Sequence, residues 1–200
     1  MTDDAVRAIR AGQAVILPTD TVYGLCADGY RERHALKLFE LKGRPESMPI
    51  ALLVSDMDVV LDAVPEARGR AAAAARVLLP GPYTIVLPNP ARRFRWLCGT
   101  EPWKIGIRVP HLPPEARAVL DRVSALAATS ANLHGGAEPA RVEDIPRELR
   151  EKAGALVDGG PLPGTPSTVI DLTGPEPKVL REGAVPAAEA LARAREALAG

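Results

Sequence analysis

Aromatic residues are scarce in this 200-residue chain, with two Trp, three Tyr and two Phe. The core must therefore be aliphatic, and a surface that stacks single-stranded bases on exposed rings is not expected. Cysteine is scarcer still: Cys26 and Cys98 stand far apart, with no CxxC pair and no Cys/His cluster, which argues against a structural zinc site. Net charge is lacking as well. Lys and Arg number 25, as do Asp and Glu, so no bulk attraction to nucleic acid or an anionic membrane is expected, while a local basic pocket stays open. No apolar run approaches the length that spans a bilayer. The acidic start, Met1-Thr2-Asp3-Asp4, has neither the basic nor the apolar region of a signal peptide. The expected compartment is the cytoplasm, with both thiols reduced.

Familiar catalytic signatures are missing too. There is no GxxxxGK(S/T), no GxGxxG and no GxSxG. His34, His111 and His134 have no metal-ligand spacing, and His34 reads as a helix surface residue. A hydrolytic triad or a metal-bound hydroxide has almost nothing to stand on.

What is present is a chain able to fold: 46% hydrophobic and 25% charged residues, of a length expected to form one domain over 1–200. Twenty prolines predict abrupt stops between short elements. Apolar runs predict strands at 14–17, 50–54, 83–87, 105–109, 126–129, 155–157, 168–172 and 178–180. Helical patterns fall at 5–9, 31–41, 66–79, 113–123, 146–153 and 187–198, the third being rich in alanine. Strands alternating with helices, some strands joined by short links, predict an α/β fold with a mixed sheet.

Polar residues interrupt this pattern in places that invite chemistry. PTDTVYGL (18–25) packs hydroxyls, a carboxylate and a glycine into a turn after a strand; it is either a self-capped turn or part of a site. KGRPESMP (42–49) follows a helix. Lys42 and Arg44 there either complement the helix dipole or grip a polyphosphate, Arg44 as a fork and Lys42 as a point charge. ATSANLHGG (128–136) offers Ser130 and Asn132 ahead of a flexible Gly135-Gly136 pair, as a capped loop or as ligand contacts. DGGPLPGTPSTVIDL (158–172) delivers Ser167 and Thr168 into a strand. Arg108 and Arg181 lie in or beside apolar strands, where an unpaired charge is costly, so each should meet a carboxylate or a phosphate.

Taken in order, PTDTVYGL, KGRP with a further Pro, GPYTIVL, IGIRVP, TSAN, DGG, PSTVID and VLREG resemble the YrdC/Sua5 family of threonylcarbamoyl-AMP synthases. Each motif is weak alone; eight in series, over about residues 12–183, are specific. The resemblance implies a single domain with a twisted mixed parallel and antiparallel sheet, flanking helices and a concave basic pocket. It implies synthesis of threonylcarbamoyl-AMP and pyrophosphate from L-threonine, bicarbonate and ATP, with Mg²⁺ accompanying ATP and no metal held by the protein. The product would pass to a tRNA threonylcarbamoyl transferase complex modifying adenosine 37, with weak or no direct nucleic-acid binding and no membrane. By position, Lys42, Arg44, Ser130, Asn132 and Arg181 would surround ATP, with Lys42 and Arg44 also the catalytic cations. Thr21, Arg108, Thr129 and Ser167 would surround threonine, Arg108 on its carboxylate, and Tyr23 would either line the same pocket or serve as a packing residue.

Two departures stand out: Leu53 aligns where some longer members have a His that contacts threonine, and His134-Gly135-Gly136 replaces a Ser-Gly pair. Those longer members carry a further C-terminal domain, and the chain resembles the short bacterial form. Alternatives are a carbamoyl-adenylate-forming enzyme, which in its relatives sits among zinc-finger and acylphosphatase-like segments not seen here, and a double-stranded RNA-binding module of the same fold.

Overall fold

A computed structural model of the chain describes residues 1–65 and 68–199. The strands are β1 (Val15–Leu17), β2 (Gly24–Asp28), β3 (Ala51–Val54), β4 (Tyr83–Pro88), β5 (Lys104–Arg108), β6 (Ala125–Ser130), β7 (Ala155–Leu156), β8 (Thr168–Asp171) and β9 (Lys178–Arg181). They form one sheet in the order β7-β1-β2-β6-β3-β5-β4-β8-β9. It is mixed, as expected: β1/β7, β3/β5 and β4/β8 pair parallel, and the other neighbours pair antiparallel.

Among the described residues seven α-helices flank it: α1 (Thr2–Arg10), α2 (Glu32–Lys42), α3 (Met57–Ala63), α4 (Arg70–Leu78), α5 (Pro114–Val123), α6 (Arg147–Lys152) and α7 (Ala187–Ala199). Helix α4 starts later than the alanine pattern predicts because Gly69, at φ +76°, turns the chain into it; the first two residues of the predicted helix, 66 and 67, lie outside the described residues. Strand β2 and helix α3 were not expected from the sequence. Nor is His34 a surface residue: it is 7% exposed, packed under Gly12 with Nδ1 3.7 Å from Asp28 Oδ2.

Strand alternation sorts the core onto the two faces of the sheet. Ile16, Leu25, Ala27, Leu52, Val54, Ile85, Leu87, Ile105 and Ile107 pack with Leu38 and Phe39 of α2, Ala74 and Leu78 of α4, and Ala190 and Ala194 of α7. Their neighbours in sequence, Val15, Leu17, Cys26, Leu53 and Leu126, pack with Val6 and Ile9 of α1 and Val119 and Leu120 of α5. This second face is covered by helices over β7-β1-β2-β6-β3 only. Over β5-β4-β8 the residues of the same parity, Gly106 and Arg108, Thr84 and Val86, and Val169, line a cavity instead. The half-covered sheet is what creates the site.

Candidate active site

The cavity measures about 620 Å³, within the range that holds a nucleotide-sized ligand. Its floor is the uncovered half-sheet, and its rim comes from three connections that the sequence had singled out.

The first follows α2. Gly43 adopts the left-handed conformation (φ 60°, ψ 34°) and closes the helix, its N–H reaching Glu40 O while that of Arg44 reaches Phe39 O. The chain then turns so that Lys42 and Arg44 both face the cavity. Helix stop and cation pair are thus one structure, not rivals. Lys42 is only 3% exposed, and Nζ donates to Ser130 O (2.5 Å), Asn132 O (2.5 Å) and Asn132 Oδ1 (2.8 Å). An ammonium has three hydrogens, and all three are spoken for. Lys42 therefore organises the turn after β6, a role its description as a free point charge does not capture. Burial pulls its pKa down to about 8, against the opposing charge of Glu138.

The second connection is that turn. Ser130 Oγ donates to Asn132 Oδ1 (2.6 Å), and Asn132 Nδ2 donates to Gly136 O (2.6 Å). His134 N–H reaches Lys42 O (2.9 Å), and Gly135 takes φ +78°, which a side chain would resist. Ser130, Asn132 and residues 133–136 all line the cavity, as does Thr129 from the end of β6.

The third is the loop into β8. Ser167 Oγ lies 2.7 Å from Thr84 Oγ1, and Arg181 donates to Ser167 O (2.8 Å) and Oγ (3.2 Å). Gly183 permits this docking of the strand that carries Arg181, since a Cβ there would lie 2.2 Å from Pro166 O. Burial, then the neighbouring Arg181, depress the Arg44 pKa, while Glu138 raises it. Arg44 and Arg181 both line the cavity, with Glu138 as the counter-charge near each.

Arg108 lies on the floor. Its Nη2 donates to Asp20 Oδ1 (2.8 Å) and to Thr21 Oγ1 (3.1 Å), and its Nε is buried without a partner. The carboxylate expected beside this arginine is thus a protein group, Asp20. Arg44 Nε is in the same condition, its Nη2 bound to Pro49 O (2.9 Å). Glu138, also lining the cavity, buries Oε2 with no partner.

Eight of the ten residues expected at the site line the cavity: Lys42, Arg44, Arg108, Thr129, Ser130, Asn132, Ser167 and Arg181. Thr21 and Tyr23 do not. Thr21 is fully buried behind Arg108 as its acceptor. Tyr23 is fully buried too; its hydroxyl faces Asp158 Oδ1 (3.0 Å) and Gly160 O (2.8 Å) and accepts from Gly159 N–H (3.0 Å), fastening the DGG turn. Its aromatic ring belongs to the core rather than to the pocket. Leu53 adds an apolar patch to the lining. Thr84 and Glu138 were not picked out from the sequence, and Asp20 only as the carboxylate of the PTDTVYGL turn, with no role of its own. Thr84 had a visible signal, a hydroxyl alternating with Tyr83 and Ile85 in an otherwise apolar strand; Glu138 had none. Among the described residues, no group of three or more His, Cys, Asp or Glu side chains is gathered to hold a metal ion, and no helix is long and apolar enough to cross a membrane.

The fold is thus that of an α/β protein with a cavity on the bare half of a mixed sheet, lined by Lys42, Arg44, Arg108 and Arg181. Comparison with known proteins places it more narrowly. The Sua5/YciO/YrdC family model, described as telomere recombination, matches residues 7–183, and the chain belongs to that family. A Mycobacterium tuberculosis protein is 35% identical over 182 residues, covering 90% of this chain and 83% of the relative. A threonylcarbamoyl-AMP synthase of Xanthomonas oryzae is 35% identical over 167 residues, covering 77% of this chain and 87% of that enzyme. The crystal structure of Pyrococcus abyssi Sua5 complexed with L-threonine superposes with a TM-score of 0.85 at 31% identity, over 96% of this chain and 56% of that one.

Proposed function

We infer that this protein is a threonylcarbamoyl-AMP synthase, joining L-threonine, bicarbonate and ATP with release of pyrophosphate. The observation that carries the reading is the gathering of three arginines in one cavity: Arg44 and Arg181 at the rim, and Arg108 on the floor. A triphosphate suits the first and an amino-acid carboxylate the second.

In the reaction, the amine of threonine adds to bicarbonate with loss of water, giving a carbamate. A carbamate oxygen then bonds to the α-phosphorus of ATP as the bond to the pyrophosphate oxygen breaks. No protein nucleophile is needed. The protein's work is alignment of a short-lived carbamate against phosphorus and stabilisation of the charge that gathers on pyrophosphate. Arg44 and Arg181 supply that stabilisation, and Lys42 holds the Ser130–Asn132 turn whose polar groups face the nucleotide. Thr129, Ser167 and Arg108 receive threonine. Magnesium enters with the nucleotide, as MgATP. In this reading the enzyme is a cytoplasmic nucleotidyltransferase, and its adenylate is handed to a separate complex that modifies tRNA.

The test is an omission series. Pyrophosphate release from ATP is expected only when threonine and bicarbonate are both present, with serine a weaker substrate and valine far behind, because a site that satisfies a hydroxyl rejects a ligand lacking it. Equal turnover of valine and threonine would contradict the threonine assignment.

A further inference from the structure

Arg108 is held from behind by a residue to which no part of the reaction has been assigned. Asp20 and Arg108 are both nearly buried, at 10% and 11% side-chain exposure, and stand 2.8 Å apart although 88 residues separate them in sequence. The arginine is anchored at one terminal nitrogen only: Nη2 carries two hydrogens, and Asp20 Oδ1 and Thr21 Oγ1 are its two acceptors. Asp20 in turn is fixed at its other oxygen, where Oδ2 accepts the backbone N–H of His111 (3.2 Å), just beyond the end of β5. The carboxylate thus spans from the arginine to the chain that carries it. Nε of Arg108 is buried and without a partner, which leaves the other terminal nitrogen, Nη1, as the group with two hydrogens to offer a ligand in the cavity that Arg108 lines.

We propose that Asp20 is a positioning residue, which sets the orientation of the Arg108 guanidinium so that its remaining donors meet the carboxylate of the amino-acid substrate. The proposal rests on the reading of the site given above. It requires a side chain with two acceptor oxygens. Asparagine has one oxygen and an amide NH2, so its oxygen can face Arg108 or His111 but not both, and an N–H is left facing an N–H. A second role for Asp20, simple neutralisation of Arg108, predicts the opposite sign. An anion beside a carboxylate-binding arginine weakens its pull on the substrate, and removing that anion would tighten binding.

The experiment measures KM for threonine, KM for ATP and kcat in the parent protein and in Asp20→Asn at saturating bicarbonate. The expected result is a threonine KM raised about ten- to hundredfold, the range that one charge-assisted hydrogen bond carries. The ATP KM and kcat should stay within about threefold of the parent, since only binding of one substrate is disturbed. In an Arg108→Lys background, Asp20→Asn should add little to the loss already present, because both substitutions remove one interaction. A threonine KM that falls would overturn the proposal in favour of charge balance. A melting temperature that drops while both KM values stay put would overturn it in favour of a purely structural pair.

If Asp20→Asn does not fold, Asp20→Glu keeps two acceptors but displaces them by a methylene. It should raise the threonine KM several-fold with ATP unaffected, and an unchanged threonine KM would again overturn the proposal. Failure of the underlying reading shows separately: the parent protein itself would then release no threonine-dependent pyrophosphate, which would overturn both.

Discussion

Replacing Lys42 by methionine separates two roles that an alanine scan would blur. Methionine fills the aliphatic part of the buried side chain and removes the ammonium. Three charge-assisted hydrogen bonds to Ser130 and Asn132 are lost, together worth about 5 kcal/mol at the low end for bonds to charged groups. Against this, the cost of burying the charge also disappears. The depression of the Lys42 pKa from 10.5 to about 8 corresponds to roughly 3 kcal/mol. The net destabilisation is then only about 1–2 kcal/mol, which lowers the melting temperature of a chain this size by about 3–6 °C. Activity should suffer far more, because the Ser130–Gly136 turn loses its central fastening.

Scanning calorimetry paired with ATP KM measurements reads both quantities. A melting point lowered by that amount with an unchanged ATP KM would refute the link between Lys42, the turn and the nucleotide. The pH dependence has two opposed signs. Below about pH 8 the burial cost is fully present; as pH rises from about 8 to 10.5 the unfolded chain binds the proton that the folded chain has released, so the contribution of this group to stability grows. Function runs the other way. A neutral amine has two hydrogens for three acceptors, so affinity for ATP is expected to fall as pH passes about 8.

Three further substitutions probe the rest of the site. Ser167→Ala removes a hydroxyl bonded to Thr84 and Arg181 and should narrow the preference for threonine over 2-aminobutyrate, read as the ratio of kcat/KM values; an unchanged ratio would place the threonine hydroxyl elsewhere. Tyr23→Phe leaves Gly159 N–H without its acceptor and should cost about 1–3 kcal/mol in denaturant titration while leaving the threonine KM unchanged, since the side chain is outside the cavity. Gly183→Ala cannot be accommodated against Pro166 O; it should cost about 3 kcal/mol, at the upper end of overpacking penalties, and weaken ATP binding through Arg181.

The sequence made the elements with strong local signals readable and left the long-range ones hidden. Ile50–Val54 and Tyr83–Leu87 are apolar, partly β-branched runs bounded by Pro, and both are strands. Strand β2 escaped because Gly24-Leu25-Cys26-Ala27-Asp28 has no β-branched or aromatic residue; it is a strand because β1 and β6 pair with it on both edges. Sheet order was out of reach for the same reason, being set by pairing rather than by propensity. At the site, residue types pointed to anion chemistry, and Lys42, Arg44, Arg108 and Arg181 do line one cavity. Their partners were not readable. Lys42 spends its hydrogens on a turn 90 residues away, and Arg108 on an aspartate 88 residues away. Both contacts exist only after the sheet has assembled. Tyr23, open in the sequence between lining the pocket and packing, packs in the core; motif position says that a residue belongs near a site but not which way its side chain points.

The most direct test of the central claim is mass spectrometry of the nucleotide product formed from ATP, L-threonine and isotopically labelled bicarbonate. An adenylate that carries one threonine and one labelled carbon, appearing in step with pyrophosphate, is the predicted result. Pyrophosphate accompanied by an adenylate that contains threonine but no labelled carbon, or by AMP alone without the adduct as an intermediate, would contradict the account.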